Sequence, residues 1–243
     1  MHLDLDTPNN ALAIGAHPDD IDFGAGGTLA KWASKGCKIN YLICTDGSKG
    51  SWNQDEDTSA LIKIRQSEQK AAFRKIAQNN QGEIVFLNWI DGELESNLDQ
   101  RSQVSFWIRK IKPDIVLGHD PWKRYRLHPD HRHAGLLAVE AIVGARDPHF
   151  FPEHKLKAFR PKYLALWEAD EIDYVENIED FLDQKIGALL EHKSQLLSTM
   201  NISDSSSSKQ LSDFDQWVKT TAAQQGSVAN VGFGEAFKLI TQL

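Results

Sequence analysis

Two short runs hold most of the chemistry in this chain: Ala16-His17-Pro18-Asp19-Asp20 and His128-Pro129-Asp130-His131. Two histidines and one carboxylate form the ligand set of a catalytic zinc ion. That set leaves a fourth position for a water, whose pKa the metal lowers to about 7. A further carboxylate can take a proton from that water, and a further histidine can stabilise negative charge on a carbonyl oxygen. The inventory is therefore three ligands, one base and one electrophilic helper, which suits hydrolysis. The same three ligands also make the facial triad of a non-haem Fe(II) oxygenase. A protein that only binds a metal or a sugar is a third reading, weakened by the extra carboxylate that binding does not need. A dinucleotide-dependent oxidoreductase ranks low, because the first strand lacks the glycine fingerprint.

The two runs lie more than a hundred residues apart, so the fold must bring them together. Apolar strand-like stretches at 11–16, 38–44, 83–88, 114–118 and 162–167 alternate with helical patterns at 26–35, 56–79, 99–111, 130–144 and 179–199. That order predicts an α/β fold, a mostly parallel, Rossmann-like sheet with helices on both faces and right-handed crossovers. In such a sheet ligands bind beyond the carboxyl ends of the strands. His17 follows the first strand directly. The second run follows the fourth strand through the polar loop His119–Leu127, with Asp130 placed to cap the next helix and His131 in its first turn. The whole chain, 1–243, reads as a single domain. Its segment 200–243 is a C-terminal extension packed on the rest, helical and then irregular, with Ser203–Ser208 as a surface loop.

Other residues at strand ends are candidates for the pocket. Gly24-Ala25-Gly26-Gly27-Thr28 opens a helix and favours close packing over a phosphate cradle. Asp46 ends the second strand as a turn or a pocket wall. Arg65, on the long helix, is the candidate for holding an anionic group. Trp52, Trp89 and Trp122 follow strands and could stack on a sugar face, whereas Trp32, Trp107 and Trp217 fall within helical patterns and read as core. His119 could face the pocket. His2, His149, His154 and His192 lack sequence partners and read as surface residues.

The balance of 34 acidic against 27 basic residues gives a net charge of −7, which argues against a nucleic-acid binder. No apolar stretch reaches the roughly 20 residues needed to span a bilayer, and the N-terminus lacks a secretory pattern. Cys37 and Cys44 sit at odd spacing on one strand, about 23 Å apart, and cannot pair. A reduced, cytoplasmic protein is expected.

AHPDDIDFGAGGTLAKWASKG, then TDGSKGS, then HPDHR, resemble the LmbE-like or PIG-L family of zinc-dependent de-N-acetylases. Weaker similarity covers Arg65–Ala77, the Asp91-Gly92 turn and Glu235-Ala236-Phe237. The resemblance implies a small-molecule substrate, an N-acetylglucosamine-type conjugate such as those of the mycothiol and bacillithiol pathways, from which acetate is released. It implies Zn2+ held by His17, Asp20 and His131, a site that Fe2+ also can fill. It implies Asp19 as general base, His128 as the histidine that polarises the carbonyl in its charged form, and Asp130 as the group that orients and charges His128. It also implies a substrate-contacting arginine on the helix of Arg65; with Asp46, Asp91 and Trp122 this residue makes up the expected substrate side. Trimers or hexamers occur in such a family. Where many members continue AHPDD with Glu, this chain has Ile21 and Asp22, similar to the bacillithiol-type branch.

Overall fold

The computed structural model describes residues 1–243. The elements are β1 (His2–Leu3), β2 (Asn10–Gly15), α1 (Asp20–Ser34), β3 (Lys38–Thr45), α2 (Thr58–Ala77), β4 (Gln81–Trp89) and α3 (Leu98–Ile111). They continue with β5 (Ile115–His119), α4 (Pro129–Arg146), β6 (Tyr163–Trp167), β7 (Tyr174–Asn177), α5 (Leu182–Leu189), α6 (Ser208–Ser227) and β8 (Gly234–Ile240). They build one eight-stranded sheet in the order β1-β7-β8-β6-β5-β2-β3-β4. Strands β4, β3, β2, β5 and β6 are mutually parallel, as alternation with helices requires.

The key neighbours are β2 and β5, paired in parallel from Ala11↔Ile115 to Ile14↔Gly118. This pairing sets the ends of the first and fourth predicted strands side by side. Both strands are buried along nearly their whole length, so they read as continuous apolar runs. One apolar layer packs α1 and α2 against one face of the sheet; a second packs α3 and α4 against the other. A third cluster joins α5 to α6 and contains Ile186, Leu189, Phe214 and Val218.

Three expectations are corrected here. Helix α1 begins at Asp20, not at residue 26, and bends at Ala25 (φ −146°). The glycines therefore lie inside the helix and serve packing: a Cβ on Gly24 would stand 2.5 Å from the Trp167 ring, and one on Gly27 would stand 2.7 Å from Ile178. The amides freed at the bend are not left for a phosphate. Gly27 N–H and Thr28 N–H donate to the Glu235 carboxylate at 2.9 and 2.7 Å. The region 179–199 is not one helix but the eight-residue α5 flanked by short 3-10 turns. The tail after α6 is not irregular: β8 enters the sheet antiparallel between β6 and β7.

Candidate metal and catalytic site

The turn after β2 is the most constrained segment of the site. Asp19 has φ 110°, a region that residues with a Cβ rarely occupy and that costs on the order of 1–3 kcal/mol. The conformation reverses the chain from strand into helix within the four residues 16–19 and turns Asp19 and Asp20 toward the sheet edge. Its N–H donates to Gln69 Oε1 at 2.7 Å. Asp20 and Asp22 fall in the first turn of α1, where carboxylates complement the helix dipole.

Across the β2–β5 seam, α4 begins with Pro129, a residue suited to the first helical position. His128 occupies the N-cap, not Asp130. Asp130, fully buried, instead accepts from Gly92 N–H at 2.6 Å and Leu94 N–H at 3.2 Å. It thereby ties the β4–α3 loop to α4. Its Oδ2 also lies 3.1 Å from His17 Nε2. The imidazole it touches is thus that of His17, where the resemblance pointed to His128.

The ligand-type atoms of His17, Asp20 and His131 lie within 4.8 Å of one another. Asp20 Oδ2 is 3.2 Å from His17 Nδ1 and Asp20 Oδ1 is 3.3 Å from His131 Nε2. His119 closes the group, with Nε2 3.3 Å from Asp20 Oδ2. The electrostatics suit a divalent cation. His17 is surrounded by Asp20, Asp91 and Asp130 within 3.2 Å. Burial disfavours its charge, but those carboxylates outweigh burial and hold its pKa well above 6.5. Burial pulls His131 down to about 3, so its lone pair is free at neutral pH. Asp20 is ionised: burial opposes this, and the facing histidines overcome it. A neutral imidazole and an ionised carboxylate are the protonation states that metal binding requires; His131 and Asp20 hold them, and His17, kept protonated by its carboxylate neighbours, gives up its proton when an ion binds. With that exchange the chemistry and spacing of His17, Asp20 and His131 fit a divalent ion.

Asp19 is poised differently. Burial raises its carboxyl to about 6, against the lowering charge of Arg65. Arg65 Nη2 lies 3.3 Å from Asp19 Oδ2 and donates to Pro18 O at 2.7 Å, while Nη1 donates to Gly47 O at 2.9 Å. Arg65 is 3% exposed; its two terminal nitrogens are engaged by the turn, while its buried Nε has no partner. A carboxyl that titrates near neutrality is suited to take and return a proton. His128 stands 4.7 Å ring to ring from His17. Burial and the nearby His17 lower its pKa, which favours the neutral ring over the imidazolium that the resemblance implies.

The cluster forms the floor of a cavity of about 660 Å3, whose lining includes His17, Asp19, Asp20, Asp91, His119 and His128. Arg65, His131 and Trp52 also line it; Asp46, Trp89 and Trp122 do not. Asp46 instead accepts from Ser48 and Asp91 N–H groups, bracing the turn. Trp122 is 60% exposed outside the cavity.

Sequence reasoning missed several participants. Glu168 lines the cavity and contacts His119 and Arg126, and with His119 and His131 it forms a further potential ligand group. His192, expected on the surface, is fully buried, with Nε2 2.9 Å from Asp22 Oδ2. His154, expected on the surface too, meets Ser102 Oγ at 2.9 Å. Trp217, expected in the core, is half exposed and lines the cavity. Glu168 follows β6, so the strand-end rule that found His17 and His128 also applies to it.

The fold and the site define an open α/β sheet protein with a histidine–aspartate cluster for a divalent ion at the ends of adjacent parallel strands. Residues 12–142 match the PIG-L family, described as GlcNAc-PI de-N-acetylase. The chain is 34% identical over 187 residues to diacetylchitobiose deacetylase of Thermococcus kodakarensis, covering 76% of this chain and 69% of that protein. It is 28% identical over 168 residues to a 1D-myo-inositol 2-acetamido-2-deoxy-alpha-D-glucopyranoside deacetylase of Streptomyces avermitilis, with 58% of this chain and 55% of that protein aligned. A 4-oxalmesaconate hydratase of Pseudomonas putida is also similar, 27% identical over 164 residues, spanning 65% of this chain and 62% of the hydratase. Among solved structures, N,N'-diacetylchitobiose deacetylase from Pyrococcus horikoshii superimposes with a TM-score of 0.85 at 28% identity, over 96% of this chain and 84% of that one. The chain belongs to the PIG-L family of deacetylases.

Proposed function

We propose that this protein is a metal-dependent hydrolase that removes the acetyl group from an N-acetylglucosamine-type conjugate, releasing acetate and a free amine. The observation that carries the reading is the meeting of Asp19 with the His17–Asp20–His131 group in one cavity. When bound there, a divalent ion such as Zn2+ supplies Lewis acidity to the carbonyl and acidifies water. Asp19, buried and titrating near 6, takes the proton from the attacking water and returns it to the leaving amine. His128, neutral at the cavity wall, donates a hydrogen bond to the oxygen on which charge develops. Asp91 and Asp130 fix the His17 ring from its Nε2 side.

The similarity to deacetylases acting on diacetylchitobiose and on a GlcNAc-inositol supports an amino-sugar substrate. The similarity to a hydratase makes reaction class the point to test. Acetate release should be screened over N-acetylglucosamine conjugates with the as-purified protein, after chelation, and after zinc or Fe(II) is restored. Release that stops on chelation and returns with metal is expected. Water addition to an unsaturated acid, with no acetate from any sugar, would replace this reading.

A further inference from the structure

His119 and Trp167 end the adjacent parallel strands β5 and β6 and stand opposite each other in register. Both are buried, 2% and 1% exposed. The Trp167 Nε1–H donates to His119 Nδ1 at 3.0 Å. An indole nitrogen only donates, so Nδ1 carries the lone pair and the proton of the neutral imidazole sits on Nε2. The opposite tautomer would have Nδ1–H donate to Glu168 Oε2 at 3.3 Å and Nε2 accept from Ala16 N–H at 3.5 Å. Each of those contacts is longer than its rival, and Glu168 Oε2 is already engaged by Arg126. That tautomer would also leave the buried indole N–H without its acceptor.

The Nε2–H faces Asp20 Oδ2 at 3.3 Å. The same oxygen accepts from His17 N–H at 2.6 Å. Donors from the ends of β2 and β5 thus hold Oδ2, while Oδ1 faces His131 Nε2 at 3.3 Å. The His119 ring stacks on that of His131, with centroids 4.4 Å apart and 27° between the planes. A ring nitrogen that carries a proton has no lone pair for a metal, and the other nitrogen is taken by the indole. His119 therefore stands outside the ligand set although it touches it. Outer hydrogen bonds of this kind orient the ligands of a metal site and sustain its affinity.

We infer that His119 is a positioning residue for the metal ligand Asp20, and that the Trp167 indole keeps it in the tautomer that donates. This inference rests on the metal-site reading above and adds the two residues that orient one of its ligands. Asp20 is then aimed from outside the ligand set, by a relay that runs from β6 through β5 to the start of α1.

The test measures zinc affinity of the chelator-treated protein, by competition with a chromophoric chelator, in the native chain and in His119→Gln, His119→Asn and Trp167→Phe. A glutamine carries its amide nitrogen where Nε2 stands in histidine; an asparagine carries it where Nδ1 stands. His119→Gln keeps a donor for Asp20 and should retain most of the affinity. His119→Asn loses that donor and should bind zinc about 10–100-fold more weakly. Trp167→Phe frees the tautomer, should fall between the two, and should add little to the loss in His119→Asn. The visible spectrum of the Co(II)-loaded protein should change in His119→Asn and not in His119→Gln, a split that lost packing would not produce. Native affinity in His119→Asn, or an equal loss in the glutamine and asparagine variants, overturns the role of His119. Native affinity in Trp167→Phe overturns the role of the indole, and that variant decides alone if His119→Asn does not fold. A native chain that binds no zinc overturns the metal-site reading, and this inference with it; zinc held by the native chain and unaffected by the variants overturns this inference only.

Discussion

The backbone N–H of Asp19 donates to Gln69 Oε1, and Gln69 Nε2 donates to Asp22 Oδ2, each at 2.7 Å. One fully buried side chain on α2 thus holds both the strained turn and the start of α1. Gln69→Leu orphans the buried Asp19 N–H, a cost of about 1–3 kcal/mol, and takes one donor from the Asp22 carboxylate, which keeps His192 and Tyr41. The variant should melt at lower temperature and lose kcat more than it raises KM, because the turn relaxes while the sugar contacts stay. A kcat equal to that of the native protein would remove Gln69 from the positioning of Asp19.

Asp19 must be ionised to accept a proton. Since its carboxyl is raised to about 6, kcat/KM should fall as pH drops through about 6. Asp19→Asn should cut turnover by roughly 10^2–10^4 while bound metal is retained. Arg65 opposes the rise in Asp19, so Arg65→Met should move the acid limb to higher pH. A pH–rate profile of both variants checks the pair. An Asp19→Asn enzyme with full turnover rejects the assignment.

His192 and Asp22 form a buried pair. Burial disfavours the imidazolium, but the hydrogen bond and charge of Asp22 outweigh it and raise the pKa of His192 above 6.5. The folded state therefore binds its proton more tightly than the unfolded chain. The pair's contribution is complete below the unfolded pKa, about 6.5, and is lost as pH rises through the folded value. Melting temperature should decline on the alkaline side of that window in the native protein, and less steeply in His192→Asn. Parallel curves would contradict the assignment.

Gly24 faces the ring of Trp167, whose Nε1–H donates to His119 Nδ1 at 3.0 Å. A methyl at residue 24 would meet that ring at 2.5 Å. Gly24→Ala should therefore cost about 1–3 kcal/mol in stability and disturb His119 through the displaced indole. Thermal melts and kcat/KM together report both effects; a melting temperature at or above the native value would contradict this packing.

The parallel half of the sheet was legible because its strands are continuous apolar runs between helices of ordinary length. The placement of His17 and His131 followed from the rule that such sheets bind ligands at strand ends. The other half was less so. β8 is buried on both sides over most of its length, so Gly234–Ile240 shows no alternation, and it enters out of chain order beside β6. β7 has only four residues. His192 gave no signal because its partner, Asp22, lies 170 residues away. Trp217 sat in a helical pattern and read as core, yet its helix packs at the cavity rim. Asp130 read as a helix cap because capping is local, whereas its acceptors are filled by the distant Gly92 and Leu94 amides.

The central claim is that His17, Asp20 and His131 together hold one divalent ion. Equilibrium dialysis of the chelator-treated protein against zinc tests it directly, with Asp20→Asn and His131→Gln as paired variants. One tightly bound ion per chain is expected in the native protein, and a large loss of affinity in both variants. Binding of equal strength in the native protein and in either variant, or no binding to the native chain, would contradict the assignment.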